Sequence, residues 1–84
     1  MFMNDIVWDD IKLAEFRRLA HLTDRENVVL QDWADDKSIV QTYFARNIST
    51  RTVDRTRNRI REKYDAVQPF TPLLPERRRT LPPS

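Results

Sequence analysis

Asn47-Ile48-Ser49-Thr50-Arg51-Thr52-Val53-Asp54-Arg55-Thr56-Arg57-Asn58-Arg59-Ile60-Arg61-Glu62-Lys63-Tyr64 is the stretch on which the rest of the chain turns. Asparagine tolerates the left-handed backbone that closes a helix when no glycine is at hand, and this chain has none. Ile48 follows as an apolar plug, and Ser49 can cap a new helix from Thr50 to about Tyr64. Placing Val53 at 0° and stepping 100° per residue brings Ile60 and Tyr64 within about 20° of it and Thr56 about 60° away. That side is predicted to be buried. The other side carries Arg51, Arg55, Asn58 and Glu62, flanked by Asp54, Arg59 and Arg61, with Arg57 on the shoulder of the apolar stripe, where it would snorkel toward solvent or a phosphate.

Upstream, start signals repeat at short intervals. Thr23-Asp24-Arg25-Glu26 has the pattern of a capping box, with Leu22 before it as a hydrophobic staple. Val29, Leu30, Trp33 and Ala34 continue it as a stripe of helical period, giving a helix from Asp24 to about Ala34. Asp35-Asp36-Lys37 is a polar break, and Ser38 caps a helix over 39–46. Before these, Trp8, Ile11, Leu19 and Leu22 lie near helical spacing, and Asp9 or Asp10 can start a helix that runs to Ala20. Helix, short turn, helix, with the second helix basic, is a helix-turn-helix over about residues 38–64.

The 84 residues make one small domain. All five prolines follow residue 68, so the expected organisation is a helical domain over 1–68 and a Pro/Arg-rich tail over 69–84. The fold class is all-α: a bundle of about four helices, with the tail polyproline-like or disordered. Phe70, Leu73 and Leu74 are the tail residues able to fold back onto the helices. The packed part is then about 60 residues, near the lower limit for folding without staples. With no cysteine and a single histidine, His21, disulfides and a metal site are not expected, and His21 reads as structural. No apolar run approaches the roughly 20 residues that span a bilayer, and no signal-peptide pattern opens the chain, so a cytoplasmic protein is expected.

The net charge of +2 conceals an asymmetry. Residues 1–45 hold nine acidic and five basic side chains, a net of −4; residues 46–84 hold four acidic and ten basic, a net of +6. Nine of those ten are arginine, and six lie between Arg46 and Arg61. A one-sided excess of guanidinium groups suits a polyanion, because only one face need meet its phosphates. Arginine also pairs with guanine edges and asparagine with adenine in the major groove of DNA. The first turns of such a helix reach base edges, which makes Thr50, Arg51, Asp54, Arg55 and Asn58 the base-contact candidates. Ser38, Arg46, Ser49, Arg57, Arg59 and Arg61 are phosphate-contact candidates, and Arg77, Arg78 and Arg79 can act as an arm on phosphates or in the minor groove. The competing reading of such a face is a solvated surface with weak pairs such as Arg51–Asp54.

Leu22-Thr23, Arg25-Glu26, Val29-Leu30, Ala34, Ser38, Ile48-Ser49, Arg51-Thr52-Val53, Arg57, Ile60 and Lys63 together resemble the LuxR/GerE-type helix-turn-helix domain, and more loosely the fourth region of bacterial sigma factors. The likeness covers about half of the chain. It implies DNA binding by the helix that begins at Ser49, with Arg51, Asp54, Arg55 and Asn58 facing the duplex. Three features depart from the pattern. Thr42, Tyr43 and Arg46 stand where the family has a branched aliphatic, an alanine and a leucine, and Tyr43 would push two helices apart or make the third rotate. The family often has glycine near Asp36. Its fourth, dimerising helix has no counterpart, because an extended tail is expected from Val67 onward.

These features point to a sequence-specific transcriptional regulator, of a size that suits a phage or mobile element. Its expected partner is double-stranded DNA, bound as a homodimer at two half-sites. The alternative is a protein-binding module of the same shape, whose acidic half engages RNA polymerase or another host protein. Nothing points to an enzyme or a cofactor: there is no glycine-rich phosphate loop, no cysteine and no histidine-bearing triad, and Asp9-Asp10 and Asp35-Asp36 serve more simply as helix-end charges.

Overall fold

The computed structural model describes residues 8–75. They form α1 (Asp10–Ala20), α2 (Asp24–Ala34), α3 (Ile39–Arg46) and α4 (Thr50–Val67), followed by a 3₁₀ turn at Gln68–Phe70. No strand occurs among the described residues. The first three helices have the expected bounds, and α4 continues past Tyr64 to Val67.

Each helix starts on a side chain that satisfies an otherwise unpaired backbone donor. Asp9 Oδ1 accepts from the Lys12 amide at 2.8 Å. Thr23 and Glu26 form a complete capping box, as do Ser38 and Gln41. Ser49 Oγ accepts from the Thr52 amide at 3.2 Å. The helix ends are equally local. His21, Asp36 and Asn47 take φ of 50°, 62° and 56°, one in each connection between helices. After α2 the Asp36 amide donates to the Trp33 carbonyl and the Lys37 amide to that of Asp32, which is the Schellman pattern with Asp36 in the glycine position. Short polar or imidazole side chains tolerate this conformation best after glycine, so a glycine-free chain uses them at its turns.

Helix α4 packs against each of the other three. The core comprises Leu13, Phe16, Val29, Leu30, Trp33, Val53, Ile60, Tyr64 and Leu74. Trp8, Phe16 and Tyr64 pack as an aromatic triad, with ring centroids 5.5–6.0 Å apart. Ile11, one of the residues at helical spacing in the first helix, is 67 % exposed. The inward positions of α1 are Leu13 and Phe16, one turn apart. In α3 it is Thr42 that is fully buried, while Tyr43 and Phe44 face outward. Thr42 thus takes the inward position, and Tyr43 does not wedge α3 from α4.

The first part of the tail, residues 69–75, is not detached chain: of the three residues able to fold back, Leu74 does so, with Thr71 extended before it. Leu74 is 1 % exposed and belongs to the core, and Thr71 is buried. Thr71 Oγ1 donates to Glu15 Oε2 at 2.7 Å, Gln68 Nε2 to the Leu74 carbonyl at 3.2 Å, and the Tyr64 hydroxyl to the Pro75 carbonyl. A buried tyrosine needs a partner for its hydroxyl, and the strap supplies one while Leu74 fills the space beside the aromatic rings. Phe70 and Leu73 stay exposed at 83 % and 49 %. Arg77, Arg78 and Arg79 lie outside the described residues.

Candidate nucleic-acid interface

The face of α4 opposite the core is decided by its own periodicity. Val53, Ile60 and Tyr64 have no solvent exposure. Arg51, Asp54, Arg55, Asn58, Arg59 and Glu62 are exposed, as is Thr50 at the start of the helix. Arg51 and Arg55 are one turn apart and project from the same outward face. Neither they nor Arg59 makes a side-chain hydrogen bond or ion pair among the described residues.

Other arginines are committed inward. Arg57 is half-buried: Nη2 donates to the Lys37 carbonyl at 2.8 Å, and its guanidinium carbon lies 4.7 Å from the centroid of the Trp33 ring. Burial, aided by the charge of Arg61, holds its pKa below the ordinary arginine value. Arg61 stacks on the same indole at 4.8 Å and donates through Nη1 to Asn58 Oδ1 at 2.7 Å. That bond occupies one of the two lone pairs of the Asn58 carbonyl and leaves the other able to accept. Arg46 donates through Nε and Nη2 to both carboxylate oxygens of Asp32, at 3.2 and 3.0 Å. Asp32 is fully buried, and the bond from Arg46 outweighs desolvation to hold its carboxyl below the usual range. Arg46 and Arg57, both expected on phosphates, thus tie α3 to α2 and α4 to the α2–α3 turn.

A second latch sets the rotation of α4. Lys63 Nζ donates to Glu26 Oε1 at 2.6 Å. Burial disfavours the charged form of Glu26, but bonds from Lys63 and the Thr23 amide outweigh it, and its pKa lies below the ordinary value. With this latch made, Arg55 and Arg59 face Arg25 at the start of α2 across a groove. Arg25 was missed as a binding candidate, because its neighbours in sequence give it a capping context and the residues it faces are 30 or more positions away. Ser38 and Ser49 are exposed at the starts of α3 and α4.

Among the described residues no helix is long and apolar enough to cross a membrane, and no three His, Cys, Asp or Glu side chains are grouped to hold a metal ion. No family model matches the chain, and comparison with curated proteins and with solved structures returned no significant match.

Proposed function

We propose that this chain is a sequence-specific DNA-binding transcriptional regulator of the LuxR/GerE-like helix-turn-helix kind, which lays α4 in the major groove. The observation that carries the reading is the division of α4: Val53, Ile60 and Tyr64 are sealed against three other helices, while Arg51, Arg55 and Arg59 are exposed and without a bonded partner among the described residues. A helix with its side chains is about 10–12 Å across and the groove is about 12 Å wide, so such a face can approach base edges. Thr50, Arg51, Asp54, Arg55 and Asn58 read bases; Ser38, Ser49 and Arg59 contact phosphates. Arg57 and Arg61 act by holding α4 in place, and Arg46 by holding α3 on α2. Two copies occupy half-sites about one helical turn apart.

Titrating duplex DNA binding against salt tests the reading. Release of counterions from several phosphates predicts that log K falls steeply and linearly with log salt, by about 0.9 per phosphate contacted. No detectable duplex binding at low salt removes the proposal.

One observation favours a second reading. Val40, Tyr43 and Phe44 share the outer side of α3 at helical spacing, 53 %, 40 % and 77 % exposed. An apolar patch of that kind suits a protein partner such as RNA polymerase, and a pull-down lost on Phe44→Ala but kept on Arg55→Ala would favour it.

A further inference from the structure

The groove between the first turn of α2 and the flank of α4 encloses about 560 Å³ and is lined by Thr23, Asp24, Arg25, Glu26, Thr52, Arg55, Thr56 and Arg59. Thr23 and Glu26 are already occupied by the capping box, and Glu26 by Lys63 as well. Thr56 Oγ1 donates to the Thr52 carbonyl at 2.7 Å. The groups left for a ligand are three arginines. Arg25, Arg55 and Arg59 come from two helices, all are exposed, and none makes a side-chain hydrogen bond or ion pair among the described residues. Asp24 is the one opposing charge on the wall without a bonded cation.

Three guanidinium groups held around one concavity repel each other, and among the described residues none of them has a bonded carboxylate to relieve it. A phosphate relieves it, since each fork offers parallel N–H donors that match phosphate oxygens. The volume adds a size criterion. It falls within the range of about 300–1,000 Å³ typical of small-ligand sites, well beyond what a lone oxyanion fills. We infer that this groove seats one backbone phosphate of a DNA strand together with its adjoining sugar, held by Arg25 and Arg59, with Arg55 on the same wall reaching onward to the base edge, so that Arg25 of α2 clamps the strand beside the helix that reads it. The inference rests on the DNA-binding reading of α4, and it adds a helix outside the helix-turn-helix to the contact surface. A free phosphorylated small molecule has the same chemistry, and the experiment separates the two.

Arginine Nε–H resonances of the full-length chain are followed by NMR while inorganic phosphate, and separately the dinucleotide thymidylyl-thymidine, is added. Signals of Arg25 and Arg59 should move together, with the dinucleotide bound more tightly; if they do not move, there is no phosphate site. In parallel, duplex binding is measured for Arg25→Gln, Arg25→Lys and Asp24→Asn. Arg25→Gln should lose about tenfold in affinity on preferred and random duplex alike and lower the salt slope by about one. Arg25→Lys should keep most of the slope, and Asp24→Asn should bind more tightly than the parent. Unchanged duplex binding by Arg25→Gln, with resonances that do move, overturns the DNA strand as occupant in favour of a free phosphorylated ligand. Failure of the parent chain to bind duplex at all is a different result: it strikes the reading of α4 and the strand with it.

Discussion

Oε1 of Glu26 accepts two hydrogen bonds at once, from the Thr23 amide at 2.9 Å and from Lys63 Nζ at 2.6 Å, although Lys63 lies 37 positions away. The same atom closes the start of α2 and pins α4. A capping interaction visible in sequence is thereby converted into the contact that orients the arginine face.

Acid stability should reveal this latch. Glu26 and Asp32 both have pKa values below those of the unfolded chain. Their stabilisation is complete above the unfolded values of about 4.3 and 3.9 and is lost as pH falls through the lower folded ones. Melting temperature should be flat above about pH 5 and drop below about pH 4. Lys63→Met leaves a buried carboxylate with one partner fewer, so it should destabilise at neutral pH and flatten the acid limb. An acid limb identical to the parent's would show that Lys63 contributes nothing to the charged form.

Thr42 is fully buried and its hydroxyl has no hydrogen-bond partner among the described residues. Replacing that hydroxyl by a methyl removes an unsatisfied polar group at nearly constant volume, so Thr42→Val should stabilise by about 1 kcal/mol. Chemical denaturation measures it. A loss of similar size would mean that the hydroxyl is satisfied in solution.

The C-terminal strap should be part of the cooperative unit. Leu74→Ala is expected to cost about 2–3 kcal/mol, the usual range for emptying a buried leucine site. Tyr64→Phe should cost about 1 kcal/mol for the bond to the Pro75 carbonyl. In so small a domain, truncation after Gln68 should lower the denaturation midpoint markedly. A truncated chain as stable as the parent would show that the strap merely rests on the surface.

Arg55 and Arg57 should separate cleanly, although they are two residues apart. Arg55→Ala should leave stability within about 0.5 kcal/mol of the parent and weaken a preferred DNA site more than random duplex. Arg57→Ala removes the bond to the Lys37 carbonyl and the stacking on Trp33, and should destabilise by about 1–2 kcal/mol. Paired melting curves and binding isotherms read both effects. Equal stability of the two variants would contradict the inward role of Arg57.

Helices and their ends were legible from residue order because the forces that set them act within one turn. Thr23 with Glu26, Ser38 with Gln41, Ser49 with Thr52 and the left-handed Asn47 are contacts over three or four positions. The buried side of α4 was equally legible, since Val53, Ile60 and Tyr64 recur at its period. The inward side of α1 was not legible, because spacing alone does not show which way a short helix turns its apolar residues: Leu13 and Phe16 are buried and Ile11 is exposed. Leu74 was legible only as one of three tail residues able to fold back; which of Phe70, Leu73 and Leu74 is buried depends on the space beside the aromatic rings.

Residue order alone thus sets four capped helices and one arginine-bearing face, through local hydrogen bonds and the period of the apolar residues. Which arginines are committed, and which have no bonded partner among the described residues, follows from the packing of the helices. Arg46 to Asp32, Arg57 to the Lys37 carbonyl and Lys63 to Glu26 join positions 14, 20 and 37 apart. Pairings across such distances depend on how the helices pack, and no periodicity along the chain encodes them.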